Sequence, residues 1–276
     1  MQKLIIGCLT CLVAVLPKSA TAQMEYPLSI AVAESGKLYI ADRNLPGVWR
    51  VDGSDLSTLF KGSKRFRTPL NAVRCVALDG NGSVLAGDSA TREVYRLGED
   101  GKPIPLTDGG IGIPMGIAVD SKGQLLVSDL ELHRIWKVPG EGGKPALLAE
   151  VPAPRGVCID GDDNLWVVSH GKDQVVRVSP DGKVEAIVEG RPFQFPHTIV
   201  LDQDKTAYVC DGYARAIWKV PQGGKPTKWI SGEPLVNPVG LARHHDGLLV
   251  VDPRANAVFE IDATGKPTKL ELKLKE

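Results

Sequence analysis

The sequence predicts an all-β chain folded as a six-bladed β-propeller of four-stranded antiparallel blades. Three observations carry that prediction. Six segments align with one another along the chain, at 26–51, 73–97, 114–138, 154–178, 196–220 and 238–261. An anchor residue closes the second apolar run of each. These anchors are Asp42, Asp88, Asp129, Ser169, Asp211 and Asp252, at intervals of 46, 41, 40, 42 and 41 residues. Lastly, the apolar runs are short and bounded by Gly, Asp and Pro. No segment past residue 22 sustains a 3.6-residue period, so the runs are strands rather than helices.

The third repeat shows each element most clearly. Gly116 to Val119 is a first strand, and Ser121-Lys122-Gly123 is the turn after it. Leu125 to Ser128 is the second strand and Arg134 to Val138 the third. A Gly-Gly-Lys-Pro turn then leads to a fourth strand, Ala146 to Ala149. Four such strands in each repeat, closed radially, remove most exposed sheet edges. Small residues at Ala41, Gly87, Ser128 and Cys210 let neighbouring sheets approach. A large side chain recurs on the third strand, at Trp49, Tyr95, Trp136, Val176, Trp218 and Phe259, and reads as packing between blades. The first interval is long because the linker 61–72, KGSKRFRTPLNA, is enlarged. The C-terminal LELKLKE reads as an outer strand, with closure that needs no swapped strand.

Two domains of sequence precede and form the body. Residues 1–22 read as a secretory signal, with Lys3 as its charged start, Leu4 to Leu16 as an apolar core and Ala20-Thr21-Ala22 as the cleavage pattern. Residues 23–276 form the propeller, expected to be periplasmic or secreted. The apolar core is too short to span a bilayer, and no other run approaches that length. Lys plus Arg and Asp plus Glu are 33 each, a balance that excludes a dedicated nucleic-acid binder. Cys8 and Cys11 leave with the signal. Cys75, Cys158 and Cys210 remain, all on predicted strands, and read as buried thiols with one bridge left open.

Propeller geometry predicts where a ligand meets the chain. The residue just before each inner strand lines the channel mouth, which gathers Leu28, Arg74, Met115, Arg155, His197 and Val239. Loops on the same face add Arg43, Arg92, His133, Arg134, His170, Lys172, Tyr213, Arg215 and Arg254, with Lys61, Lys64, Arg65 and Arg67 from the linker. Asp79, Asp120, Asp160, Asp202 and Asp262 fall on the opposite face. A basic mouth attracts carboxylate, phosphate or an acidic polymer. The strand-end aspartates lie on the mouth side as well, and repeated Asp at such a position satisfies turn amides. Arg74, Met115, Arg155, His170, His197 and Tyr213 are therefore the expected ligand-binding set.

The pattern Pro-x-Gly-Ile-Ala-Val-Asp, then Gly-x-Leu-x-Val-Ser-Asp, then Arg-Ile-x-Lys-Val, nearly complete at 114–138, resembles the NHL repeat family. That resemblance covers about 26–270 and implies the propeller fold, on which many activities are carried. FPHTIV at 195–200 and CDGY at 210–213 resemble peptidyl-hydroxyglycine amidating lyases. There the resemblance implies a zinc held by three histidines, with a tyrosine and an arginine. His197 matches one zinc position, while Met115 and Leu28 occupy the other two; Tyr213 and Arg43 would be the partners. A thioether and an isobutyl group do not replace imidazole on zinc. A gluconolactonase- or regucalcin-like resemblance implies a divalent metal held by Glu, Asn and Asp. Here it points to Asn71, Asn237 and Asp211, with Glu25 the only nearby Glu.

The expectation is thus an exported binding or recognition scaffold with an anionic ligand at its basic mouth, or a protein partner across its loop face. The alternative is a metal-dependent hydrolase or lyase of lactonase or amidating-lyase type, with His197, Tyr213 and Arg43 as its catalytic candidates.

Overall fold

The computed structural model describes residues 24–275 except Pro46. The expected signal, 1–22, lies outside the described residues. Within them the chain is six antiparallel sheets of four consecutive strands, and no helix is long and apolar enough to cross a membrane. Blade one runs Pro27–Val32, Leu38–Asp42, Gly47–Asp52 and Asp55–Lys61 from the axis outward. The inner strands of blades two to six are Val73–Leu78, Pro114–Val119, Pro154–Ile159, Pro196–Leu201 and Gly240–His244.

Second strands are buried along their whole length in every blade after the first, so they read as continuous apolar runs. Six apolar clusters fill the six gaps between blades. Trp49 of blade one packs with Leu249, Val251 and Val258 of blade six, and Phe259 of blade six packs with Tyr208 and Ile217 of blade five. Each large third-strand side chain therefore lies against the preceding blade, as its recurrence suggested. Small residues fill the complementary role. A Cβ on Gly87 would meet Cys75 Sγ at 2.7 Å and Pro114 Cβ at 2.9 Å. Ser128 Oγ donates to the Arg155 carbonyl of the next blade, and Cys210 Sγ lies 3.0 Å from the Val239 carbonyl.

Strand-end carboxylates hold the entrance of every blade but the fourth, where Ser169 Oγ donates to the Pro152 carbonyl and accepts from the Gly171 amide. Asp42 accepts bonds from the backbone amides of Glu25, Tyr26, Asn44 and Leu45 and from Trp49 Nε1. Asp88, Asp129, Asp211 and Asp252 repeat the arrangement. On the opposite face Asp79, Asp120, Asp160 and Asp202 accept from the amides two and four residues on, which closes the turn between first and second strands, and Asp262 does the same in the turn between the third and fourth strands of blade six. The acidic face predicted from sequence is thus largely a set of turn caps.

The tail departs from expectation in one respect. Blade six takes Pro267–Lys269 as its outer strand. Lys273–Leu274 instead adds a fifth, parallel strand to the rim of blade one, with Lys273 N donating to Ser54 O at 2.8 Å. All four-stranded blades are made of consecutive strands, and this short addition straps the last blade to the first. Cys75, Cys158 and Cys210 are free thiols, and burial raises the pKa of each, to about 12 for Cys75 and Cys210.

Candidate functional site

Each inner strand begins at the same face, and the anchor side chain, a carboxylate in five blades and Ser169 in the fourth, ties that start to the loop after the second strand. Residues up to 213 positions apart, Tyr26 and Val239, are thereby drawn to one opening. A cavity of about 200 Å³ at this opening is lined by Tyr26, Leu28, Ser29, Arg43, Arg74, Met115, Arg155, His197, Thr198, Asn237 and Val239. All six residues of the predicted mouth ring line it.

Inner-strand glycines make this convergence tight. A Cβ on Gly156 would lie 2.6 Å from Thr198 Cα and 2.7 Å from the His197 carbonyl oxygen. Gly156 follows Arg155 directly, so the Arg155 backbone sits against the strand that carries His197. Gly116 and Gly240 allow the same approach toward Val157 and Leu28.

The charge at the mouth is not neutralised by direct ion pairs among the described residues. Among the described residues, no carboxylate oxygen lies within 4.0 Å of a guanidinium nitrogen of Arg43, Arg74 or Arg155. Arg74 is oriented by its Nε, which donates to Ser89 Oγ at 2.9 Å. Arg155 lays its guanidinium over the Phe195 ring, 4.8 Å from the centroid, and its buried Nε has no hydrogen-bond partner. Burial and the neighbouring Arg43 lower the pKa of Arg74; burial and Arg74 lower that of Arg155. Guanidinium groups remain charged through such shifts, so the arginines repel one another within the fold.

His197 supplies a neutral edge. Burial, then Arg155, then His170 push its pKa down to about 3. Its Nε2 and Asn237 Oδ1 flank Gly212, where a Cβ would meet them at 3.2 and 2.4 Å. Phe195 organises the side of the opening. It stacks on Tyr213 at 4.5 Å and 19°, and meets His170 and His197 edge-on at 4.6 and 4.9 Å. Tyr213 is 61% exposed. His170 Nε2 is 2.7 Å from the Pro196 carbonyl, and burial with Arg155 lowers its pKa.

Of the predicted site residues, Arg43, Arg74, Met115, Arg155, His197 and Asn237 meet in the cavity, while His170 and Tyr213 stand beside it against Phe195. Asn71 lies in the linker corner, its Nδ2 donating to Arg65 O at 2.7 Å. Asp211 is fully buried with its oxygens engaged by the amides of Gln194, Phe195 and Ala214. The other basic loop residues do not line the cavity. Arg92 pairs with Glu131, Arg134 lies over Trp136, and Arg215 Nε donates to Leu235 O. Sequence reasoning did not single out Phe195, Ser89 or Thr198. The aromatic two positions before His197 was the available signal for the first.

This chain belongs to the SMP-30/gluconolactonase/LRE-like family, whose family model matches residues 9–191. A 60-residue stretch, 22% of the chain, is 37% identical to NHL-repeat-containing protein 4 of Homo sapiens. That match spans about half the length of the curated relative, 49%. Among solved structures, a virginiamycin B lyase from Staphylococcus aureus is similar at TM-score 0.70 and 17% identity, over 92% of this chain and 87% of that one. A gluconolactonase from Xanthomonas campestris, XC5397, is similar at TM-score 0.69 and 15% identity, over 84% of each chain. A chain of a nidogen/laminin complex is similar at TM-score 0.69 and 19% identity, over 88% of this chain and 91% of that one. At these identities the likeness to solved structures is one of fold.

The divalent metal implied by the gluconolactonase-like resemblance does not fit the residues present. No carboxylate lines the cavity, and three guanidinium groups border it. Among the described residues no group of three or more His, Cys, Asp or Glu is placed to hold a metal ion. Leu28, Met115 and His197, the three positions of the zinc comparison, do share the cavity, but they offer a single imidazole.

Proposed function

We propose that this chain is an exported binding protein that holds an anionic ligand at the propeller mouth. One observation carries the reading: Arg43, Arg74 and Arg155 border one cavity without a carboxylate among its lining residues. Positive charge gathered and partly desolvated at this density favours an anion strongly, because charge-assisted hydrogen bonds gain strength as water is excluded. Arg74 and Arg155 supply the charge, each held in place by a neighbour, Ser89 and Phe195 respectively. Neutral His197 and Asn237 offer hydrogen bonds without further charge. Phe195 and Tyr213 give an apolar shoulder for the body of a ligand. The cavity volume suits a small molecule or the head group of a larger one better than an extended polymer segment. Export rests on the Leu4 to Leu16 apolar core and the Ala20-Thr21-Ala22 pattern, and cell fractionation tests it.

Calorimetric titration with inorganic phosphate and with acetate tests the binding reading. At least one anion binds wild-type protein, and Arg74→Ala and Arg155→Ala each weaken it about tenfold or more. Undiminished affinity in both variants, with an unchanged circular dichroism spectrum, overturns the assignment. Elemental analysis separates the metal-dependent alternative: a stoichiometric divalent ion, lost in His197→Ala, would replace the binding reading with the enzymatic one.

A further inference from the structure

We infer that the mouth selects a compact doubly charged anion, such as a phosphate monoester or a short dicarboxylate, over a singly charged one; this rests on the anion-binding reading above. The argument begins from where the three cations come from. Arg43, Arg74 and Arg155 are delivered by blades one, two and four, and among the described residues none has a carboxylate oxygen within 4.0 Å. The carboxylates that stand closest in sequence, Asp42 and Asp88, are fully buried and spend their oxygens on backbone amides. Asp88 raises the Arg74 pKa but is outweighed by burial and by Arg43. The chain therefore holds several like charges together and leaves their neutralisation to the occupant.

A single negative charge pairs with one guanidinium and leaves the repulsion among the others only partly relieved. Two charges on one small ligand can face two guanidinium groups at once. The geometry favours this use. Arg74 has its Nε committed to Ser89, and Arg155 sits over the Phe195 ring, so both heads are held before a ligand arrives. Arg43 is exposed and adds its charge from the rim. The neutral lining, His197, Asn237, Ser29 and Thr198, can hydrogen-bond an occupant without changing the charge count. A volume near 200 Å³ is below the roughly 300–1,000 Å³ of sites that take drug-sized ligands, which suits a short dianion or a phosphate head group.

Succinate and succinamate make the discriminating pair, because they share length and shape and differ by one charge. Inorganic phosphate serves as the second dianion near pH 8, and acetate as the second monoanion. Calorimetric titration at constant ionic strength should show succinate binding about tenfold or more tightly than succinamate, the ratio one additional charge-assisted bond commands. Phosphate should exceed acetate by a similar factor. Arg43→Gln and Arg74→Gln should each draw the succinate-to-succinamate ratio toward unity, by weakening the dianion more than the monoanion. Circular dichroism and the melting temperature of each variant establish that it is folded. Equal affinity for the two succinyl ligands overturns the selectivity while leaving anion binding standing. A ratio that survives both substitutions overturns it as well. Failure of all four anions to bind overturns the underlying reading instead.

Discussion

Replacing Asp129 by asparagine changes one buried oxygen into an amide nitrogen and should cost this fold several kcal/mol. The carboxylate is fully buried. Oδ2 accepts from Gly112 N at 2.8 Å and from Trp136 Nε1 at 2.9 Å. Oδ1 accepts from the amides of Ile113, Glu131 and Leu132 at 3.0 to 3.2 Å. An asparagine oxygen can keep the set of three, and its amide then faces two donors with no acceptor. Two charge-assisted bonds at about 1.5–3 kcal/mol each give a loss of about 3–6 kcal/mol, a large part of the ~5–15 kcal/mol that holds a typical domain. Urea unfolding near neutral pH measures it. Burial opposes ionisation of Asp129, but the Trp136 indole and the backbone amides outweigh it and hold the pKa below the ordinary carboxylate value. This stabilisation is therefore complete above about pH 4 and is lost as pH falls through the depressed folded-state pKa. The gap between wild type and Asp129→Asn should narrow in acid. A loss under about 1 kcal/mol near neutral pH, or a gap that does not narrow, refutes the view that these carboxylates pin the blade entrances.

Three other outcomes follow from the same geometry. Gly156→Ala pushes a methyl group into Thr198 and the His197 carbonyl, and should destabilise by about 1–3 kcal/mol in thermal or urea melts while weakening phosphate binding; a neutral result would show that the inner strands separate freely. Leu272→Ser removes a half-buried contact between the tail and the cluster shared by blades one and six, and should cost about 1 kcal/mol with a visible drop in melting temperature. His197 should show no protonation step in its NMR titration between pH 8 and about pH 4, and Arg155→Ala should raise its midpoint; a wild-type midpoint near the ordinary ~6.5 would refute its burial against Arg155. Because its folded-state pKa is depressed, any contribution of neutral His197 to stability is present above about pH 6.5 and is lost as pH falls toward 3.

The blades were legible because the repeat writes the same physics six times. Asp129 and its counterparts recur at a nearly fixed interval since each must cap the same amides. Trp49 and its counterparts recur since each fills the same gap against the preceding blade. The mouth ring was legible for a related reason: the start of an inner strand has only one place to go, although Leu28, Arg74, Met115, Arg155 and His197 are the second residues of their strands rather than residues just before them, and only Val239 precedes its strand. The surroundings of that ring were harder to read. Phe195 matters through the direction of its ring toward Arg155, Tyr213 and two histidines, and no periodic pattern carries a rotamer. The metal candidates illustrate the converse. Asn71, Asp211 and Asn237 are similar in residue type to a cation site, yet Asp211 is consumed by loop amides and Asn71 by the Arg65 carbonyl. The strap formed by Lys273–Leu274 escaped notice because two residues beyond a short outer strand carry too little pattern to show which blade they join.

Scaffold and mouth are therefore governed by separate constraints. The anchors, the interblade apolar clusters and the inner-strand glycines determine that six positions converge, whatever side chains occupy them. Leu28, Met115 and Val239 take three of those positions with apolar groups, and Arg74, Arg155 and His197 take the others. Substituting a residue that points into the opening disturbs little of the packing between blades, so the sign of the charge at the mouth can change without loss of the fold. Membership of the SMP-30/gluconolactonase/LRE-like family is thus compatible with a mouth whose cavity is lined by no carboxylate. A cation-binding mouth needs carboxylates free of the blade entrances, and this chain commits its anchor carboxylates to backbone amides. What it leaves facing the cavity is guanidinium. On that account, replacing Arg74 and Arg155 together by uncharged residues should preserve the melting transition within about 1 kcal/mol while abolishing phosphate and succinate binding. A cooperative loss of folding in that double variant would show instead that the arginines are part of the scaffold, and the separation of the two constraints would fail.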